Sequence, residues 1–449
     1  MPNSAPGLPA RARRRPPQRA RRLVLAALLA APAVARARPA PPALAEQLAG
    51  TLAACGLPAA SLGLCVCEVD SGRLLAALHA DQAFVLASTA KIVTSLAALD
   101  LLGPQWRWRT HAFVTGPVHR GRLLGDLLIV GGGDPSLTRN DLRDWLDGLH
   151  RGGLHDIGGD LVIDRSAFHL QPGDHAGTPE PGPDRPHHAR PDGLVLDGAA
   201  AASAPSRLPL GPPRVAAPLV TDATAQALLA TWQEVGGRLG GRLRLRDLSQ
   251  GRADGQRLPV YGADGDPLPP RATRLSPPLA EVLRTINKTS HNLAARHLML
   301  SLARGFPAQP ATLVAARERL RQWLLRQGLG PADITLDNGS GLSRAERGRP
   351  RALVQLLRRA WVAGEPRHFV DSLPVAGVDG TLAHRLQGGA AAGQAFLKTG
   401  TLLDARALAG YVRGLSGRMH AVALLVNHPE AARATGAIDA VIERLARDG

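Results

Sequence analysis

Ser88-Thr89-Ala90-Lys91-Ile92-Val93-Thr94-Ser95-Leu96-Ala97-Ala98-Leu99-Asp100-Leu101-Leu102 is the stretch from which the rest of the chain can be read. Ile92, Val93, Leu96, Leu99 and Leu102 recur at helical spacing, and Gly103-Pro104 stops the pattern. The spacing predicts a helix over 88–102, with Ser88 at its N-terminus and Lys91 one turn on, on the same face. A serine hydroxyl is a poor nucleophile until a neighbour takes its proton. A lysine can take it only if burial or a nearby cation depresses its pKa. An S-x-x-K match alone is weak, and its plainer reading is an N-cap serine with an exposed lysine. The apolar helix around Lys91 argues for burial instead.

Lysine is scarce in this chain: Lys91, Lys288 and Lys398 are the only three among 54 basic residues. On a solvated surface lysine and arginine are nearly interchangeable. They part where a neutral amine or a compact point charge is needed. Lys288 lies two residues before Ser290-His291-Asn292, and Lys398 opens Lys398-Thr399-Gly400-Thr401. Together with Ser88 and Lys91 these are the pieces of a serine acyl-transfer site. Ser290 would pass a proton to the leaving group, and Asn292 would hold a substrate amide. Lys398 would be the cation that depresses Lys91, with Lys288 contributing. Lys398–Thr401 read as a strand whose edge can pair with an extended peptide, and Gly400 allows close backbone approach to a ligand. The backbone N–H groups of Ser88 and Thr401 would form an oxyanion hole. Taken singly, Ser290 could be a helix N-cap and Lys398 a turn lysine.

At 449 residues and 45% hydrophobic composition the chain can hold two or three globular domains. Aromatics at 3% leave little for stacking on single-stranded nucleic acid. The formal charge of +17 is concentrated at the start. Residues 1–22 hold seven arginines and no acid, an apolar run follows over 23–31, and Ala35-Arg36-Ala37 closes it. That order reads as a secretory signal peptide over 1–37, with ordinary Sec export preferred to the twin-arginine route. Its removal takes away eight arginines and lowers the charge to +9. The run is too short to span a bilayer, and no later segment is long and apolar enough. Cys65 and Cys67 alternate within a strand and share a face, so they cannot easily bridge each other. A link from Cys55 to either is open, and buried free thiols are the simpler expectation. The 15 histidines show no metal-ligand spacing.

Two strands, about 61–69 and 73–79, form a hairpin before the Ser88 helix. Helices are expected over 277–302 with a break at 287–290, over 311–327 and over 351–362. Strands follow at 394–401, 407–414 and 419–427, then a last helix carrying Ile438, Val441, Ile442 and Leu445. Between them, 105–273 reads as an inserted, mostly β block with helices near 141–150 and 223–235 and a Pro/Gly/His-rich loop over 171–190. The domain reading is therefore a signal peptide over 1–37, a first core part over 42–104, an insertion over 105–273 and a second core part over 274–449. The fold class is α+β.

Three motifs in this order are the set of the penicillin-interacting serine enzymes. The gap of about 200 residues between Lys91 and Ser290 narrows the likeness. The chain resembles the D-alanyl-D-alanine carboxypeptidase/endopeptidase family of penicillin-binding protein 4 type (low-molecular-mass class C). More of that pattern stands at Gly131-Gly132-Gly133-Asp134-Pro135, Asp337-Asn338-Gly339-Ser340-Gly341-Leu342-Ser343 and Leu373–Leu382. The resemblance implies a transpeptidase-like domain, an antiparallel sheet flanked by helices, and no metal or cofactor. It also implies that Ser88 forms an acyl-enzyme on D-Ala-D-Ala, that Lys91 accepts its proton and that Ser290 is the second-motif serine. Lys398 would bind the substrate carboxylate. Substrates would be peptidoglycan stem peptides, cut by carboxypeptidase and endopeptidase action, with β-lactams as covalent inhibitors and the periplasm as location. Leu86 stands where the family usually has Pro, and His291 where Asp is common. A β-lactamase with the same acylation machinery and a silent wall-binding protein are the alternatives.

Overall fold

The central sheet is woven from both ends of the chain. Its strands are β1 (Leu62–Glu68), β2 (Leu74–Leu78), β3 (Ala395–Leu402), β4 (Ala405–Arg413) and β5 (Met419–Asn427). They lie in the order β3-β4-β5-β1-β2, antiparallel throughout. In this computed structural model the described residues are 53–175, 190–197, 222–250, 252–363 and 367–448, with positions 46 and 50. The expected signal peptide and most of the 171–190 loop lie outside them.

β1, β4 and β5 read as nearly continuous apolar runs because both faces of the sheet are covered. The period of two sorts their residues into two cores. Cys65, Cys67, Ala409, Tyr411, Ala421 and Ala423 face a helical layer that includes α1 (Ala90–Leu102), α2 (Leu279–Lys288), α3 (Asn292–Ser301) and α4 (Pro350–Val362). Leu64, Val66, Leu408, Val422 and Leu424 face α5 (Thr435–Asp448), which presents Ile438, Val441, Ile442 and Leu445. Each fully buried leucine of this kind contributes about 2 kcal/mol of transfer free energy. The one buried phenol in the first core is satisfied: Tyr411 Oη donates to the Leu357 carbonyl at 2.7 Å. Cys65 and Cys67 share a face as expected. Both are free, as is Cys55, so the open disulfide does not form. Burial pushes the Cys65 thiol up to about 12 and that of Cys67 to about 11.

Among the described residues, the strands between 109 and 275 pair with one another and not with the central sheet. One sheet has the order 243–246, 161–164, 127–130, 109–114, 272–275, and a smaller one lies beside it. Its first three strands are parallel, with Arg139–Arg151 and Ala223–Glu234 as the helices between them. Both helices were expected; the parallel pairing was not, because strand partners leave no mark in local pattern. The strand expected over 121–130 is broken into 122–123 and 127–130. At the break Asp126 turns its carboxylate to the Asp160 N–H at 2.7 Å. The last strand, Ala272–Leu275, runs two residues past the expected break at 273/274. This block is fastened to the helical layer by polar contacts. Trp108 Nε1 donates to Ser301 Oγ at 2.9 Å, and His297 Nδ1 lies 2.9 Å from the Gly133 carbonyl. No helix among the described residues is long and apolar enough to cross a membrane.

Candidate active site

Ser88 stands in a single 3-10 turn, Ala87–Thr89, that leads into α1. The helix expected from 88 thus becomes regular at 90. The turn is tight: Thr89 Oγ1 donates to the Leu86 carbonyl at 2.5 Å, and Ala87 holds a left-handed φ of 46°. Two backbones press on it. A Cβ at Gly400 would lie 3.0 Å from the Ala87 Cβ and 3.1 Å from the Leu86 carbonyl. A Cβ at Gly341 would lie 2.0 Å from the Ala87 carbonyl. Gly400 was expected to admit a ligand; what it admits is the serine turn itself. Ser88 stays partly exposed while both neighbours, Ala87 and Thr89, are buried.

Lys91 is fully buried beneath Ser88. Its Nζ lies 2.9 Å from Ser88 Oγ and 2.7 Å from Asn292 Oδ1, and it donates to the Ser340 carbonyl. Burial pulls its pKa down to about 7, against the opposing charge of Glu346. Of the two expected causes, burial and a neighbouring cation, burial is the principal one. The two lysines repel each other, and Lys398 is held well below its ordinary value by burial and then by the Lys91 charge. Lys288 takes no part. Its Nζ is bound to both carboxylate oxygens of Asp379, at 2.8 and 2.6 Å.

Ser290 sits at the break between α2 and α3 with a left-handed φ of 57°. It does not cap α3. That position belongs to His291, whose Nδ1 accepts from the Ala294 N–H at 3.2 Å. The cap fixes the tautomer, so the remaining ring proton sits on Nε2. Burial and the Lys91 charge hold His291 below the ordinary imidazole value. Released from capping, Ser290 Oγ accepts from Lys398 Nζ at 3.0 Å, and the same nitrogen reaches the Thr399 carbonyl at 2.9 Å. Asn292, the first residue of α3, gives its oxygen to Lys91, which leaves its amide nitrogen as the group that can meet a substrate carbonyl.

β3 is an edge strand. The first half of that edge is already paired, since Ala376 N–H donates to the Ala395 carbonyl and Leu397 N–H to the Pro374 carbonyl, both at 2.9 Å. The period of two then points the backbones of Thr399 and Thr401 outward along the same edge. Thr401 is exposed there. Thr399 Oγ1 lies 2.7 Å from Thr381 Oγ1.

All eight expected site residues therefore converge on one end of the sheet. Sequence reasoning missed the groups around them: the Ser340 carbonyl, Glu346, Thr381 and the Asp379 partner of Lys288. The 337–343 and 373–382 segments stood out as motifs, but nothing in them marks a backbone carbonyl as a ligand for Lys91.

A family description, D-Ala-D-Ala carboxypeptidase 3 (S13), matches residues 44–207 and 264–447. The chain belongs to the D-Ala-D-Ala carboxypeptidase 3 (S13) family. As an S13 member it is a D-Ala-D-Ala carboxypeptidase, a hydrolase. It is 30% identical to a D-alanyl-D-alanine carboxypeptidase of an Actinomadura species, over 90% of this chain and 84% of that one. It is 24% identical to the D-alanyl-D-alanine carboxypeptidase DacB of Haemophilus influenzae, over 82% and 85%. The crystal structure of penicillin binding protein 4 from H. influenzae superposes with a TM-score of 0.70 at 22% identity, covering 85% of this S13 chain and 96% of the other. That protein has also been solved with a β-lactam bound.

Proposed function

We propose that Ser88 is the nucleophile and Lys91 the general base of a two-step hydrolysis of D-Ala-D-Ala termini on peptidoglycan stem peptides. One observation carries this reading, the hydrogen-bond arithmetic at Lys91. A neutral amine has two N–H donors and one lone pair. Asn292 Oδ1 and the Ser340 carbonyl can only accept, so they take both donors. The lone pair is left for the Ser88 hydroxyl at 2.9 Å. A pKa of about 7 makes that neutral form available near neutral pH.

The serine proton passes to Lys91 as Oγ attacks the penultimate D-Ala carbonyl. The Ser88 and Thr401 N–H groups receive the oxyanion. Lys398 spends two donors on Ser290 and Thr399 and has a third for the terminal carboxylate. The substrate backbone extends the ladder on β3 beside Thr399 and Thr401. Ser290, linked to Lys398, relays to the departing D-Ala amine the proton that Lys91 took from Ser88, so the C–N bond breaks and Lys91 and Ser290 are restored to their starting forms. Water then cleaves the Ser88 ester. β-Lactams acylate the same hydroxyl and leave slowly. Endopeptidase action on cross-linked stems uses the same steps, with the cross-linking amine as the leaving group.

The basic start, apolar run and A-x-A close of residues 1–37 support export to the periplasm by the Sec route. N-terminal sequencing of the secreted protein is expected to begin at Arg38; an intact Met1 on the exported protein contradicts it. Enzyme assay of a peptide ending in D-Ala-D-Ala tests the reaction. Wild type releases D-Ala and Ser88→Ala does not; equal release by both removes Ser88 from the mechanism.

A further inference from the structure

Glu346 is completely buried, three residues past the Asp337–Ser343 motif. Its Oε1 accepts from the backbone N–H groups of Asp337 at 3.2 Å, Asn338 at 3.0 Å and Gly339 at 2.5 Å. Its Oε2 accepts from the Gly341 N–H. One carboxylate thus holds four amides of a single turn. Burial raises its pKa, while the amide bonds oppose that. Every partner is a donor, so a proton on either oxygen would have nothing to bind. The donor set therefore argues for the ionised form.

The clamped turn faces the serine and its base. It presents the Ser340 carbonyl to Lys91 Nζ and the Gly339 carbonyl to Thr94 Oγ1 at 2.9 Å, one turn further along α1. The Glu346 backbone carbonyl accepts from the Leu86 N–H at 2.9 Å, at the start of the serine turn. Side chain and main chain of this residue therefore grip the two segments that meet at Ser88.

We propose that Glu346 is a positioning residue for acylation: it locks the turn that gives Lys91 its Ser340 acceptor, and its buried charge offsets that of the protonated lysine. The inference rests on the reading of Ser88 and Lys91 as nucleophile and base. Other titratable groups around the pair are Asp337, which is paired with Arg317; Arg296 from α3; His291, which caps α3; and Lys398 from β3. Lys91 Nζ bonds to Ser88, Asn292 and Ser340 and not to Asp337, and Glu346 is the charge whose pull opposes the effect of burial on Lys91. Removal of the Glu346 charge therefore favours the neutral amine.

The test is the second-order rate of acylation by a fluorescent penicillin across pH 5–9, with a thermal melt on each variant. Glu346→Gln keeps the volume but faces N–H donors with an NH2 group. Its plateau rate is expected to fall by about tenfold, and the midpoint of its acidic limb to move down by about half a pH unit or more. Glu346→Asp keeps the charge on a shorter arm, so its plateau falls while its midpoint stays with wild type. A Gln midpoint that is unchanged or higher, or an unchanged plateau in either variant, overturns the proposal. The Asp variant decides alone if the Gln variant does not fold. Wild type that forms no adduct defeats the Ser88 reading itself, a different pattern from variants that match a reactive wild type.

Discussion

Lys91 is where charge, burial and chemistry are tied most closely. Its buried amine is read as a base because its two fixed acceptors leave one lone pair for Ser88. Arginine at this position keeps a positive charge but cannot give up a proton at accessible pH. Lys91→Arg is expected to reduce acylation by about 100-fold or more, the usual range for loss of a general base. A rapid-mixing assay that finds near-normal acylation contradicts the role. The sign of the pH dependence is also set. A lysine whose pKa lies at about 7 is protonated, and inactive as a base, below that value. The wild-type rate should therefore rise with pH through about 7 and then level.

At the scale of elements, the site depends on how three breaks in regular structure meet: the serine turn before α1, the α2–α3 break and the outer edge of β3. The sequence placed Ser88 at a helix start, Ser290 at a break over 287–290 and Lys398 within a strand over 394–401; the separate turn at 87–89 was not foreseen. Nor was the mutual support of the three, because it runs through backbone amides and carbonyls that carry no residue signature. Lys288 shows this well. It was recognised as unusual, yet its reason is a long-range partner, Asp379, 91 positions away. The pair pins the loop that carries Thr381 against Thr399. Lys288→Met and Asp379→Asn are each expected to raise KM for a D-Ala-D-Ala peptide roughly 3- to 30-fold with a smaller change in kcat, and the double variant should be no worse than either. Strictly additive effects in that cycle would show that the two side chains do not act together.

Across the whole molecule, the strands and helices at both chain ends were legible as short apolar runs and helical periods, while their antiparallel pairing into one flanked sheet was an expectation that the family resemblance implied. The parallel strands of the 105–273 block were not, since pairing partners lie tens of residues apart. That block is coupled to the helical layer through His297, whose Nδ1–H faces the Gly133 carbonyl while Nε2 accepts from the Asp192 N–H. Burial pulls this histidine down to about 4, well below its value in an unfolded chain. The unfolded state therefore binds the proton first as pH falls, and stability is lost progressively from about pH 6.5 towards 4. Thermal melts of wild type should decline over that window, and His297→Asn should flatten the decline. An unaltered slope in the variant would assign the acid sensitivity elsewhere.

The three lysines have separate partners near the proposed site. Lys91 and Lys398 bond to Ser88 and Ser290 of the proposed reaction centre, and Lys288 bonds to Asp379 in the segment that carries Thr381. The central claim, that Ser88 is acylated with Lys91 as its base, is tested most directly by intact mass after exposure to penicillin, with peptide mapping. Wild type is predicted to gain one lasting adduct on Ser88, and Lys91→Arg to gain none on the same timescale. An adduct elsewhere, equal labelling of Lys91→Arg, or rapid turnover of the antibiotic with no lasting adduct would contradict the account.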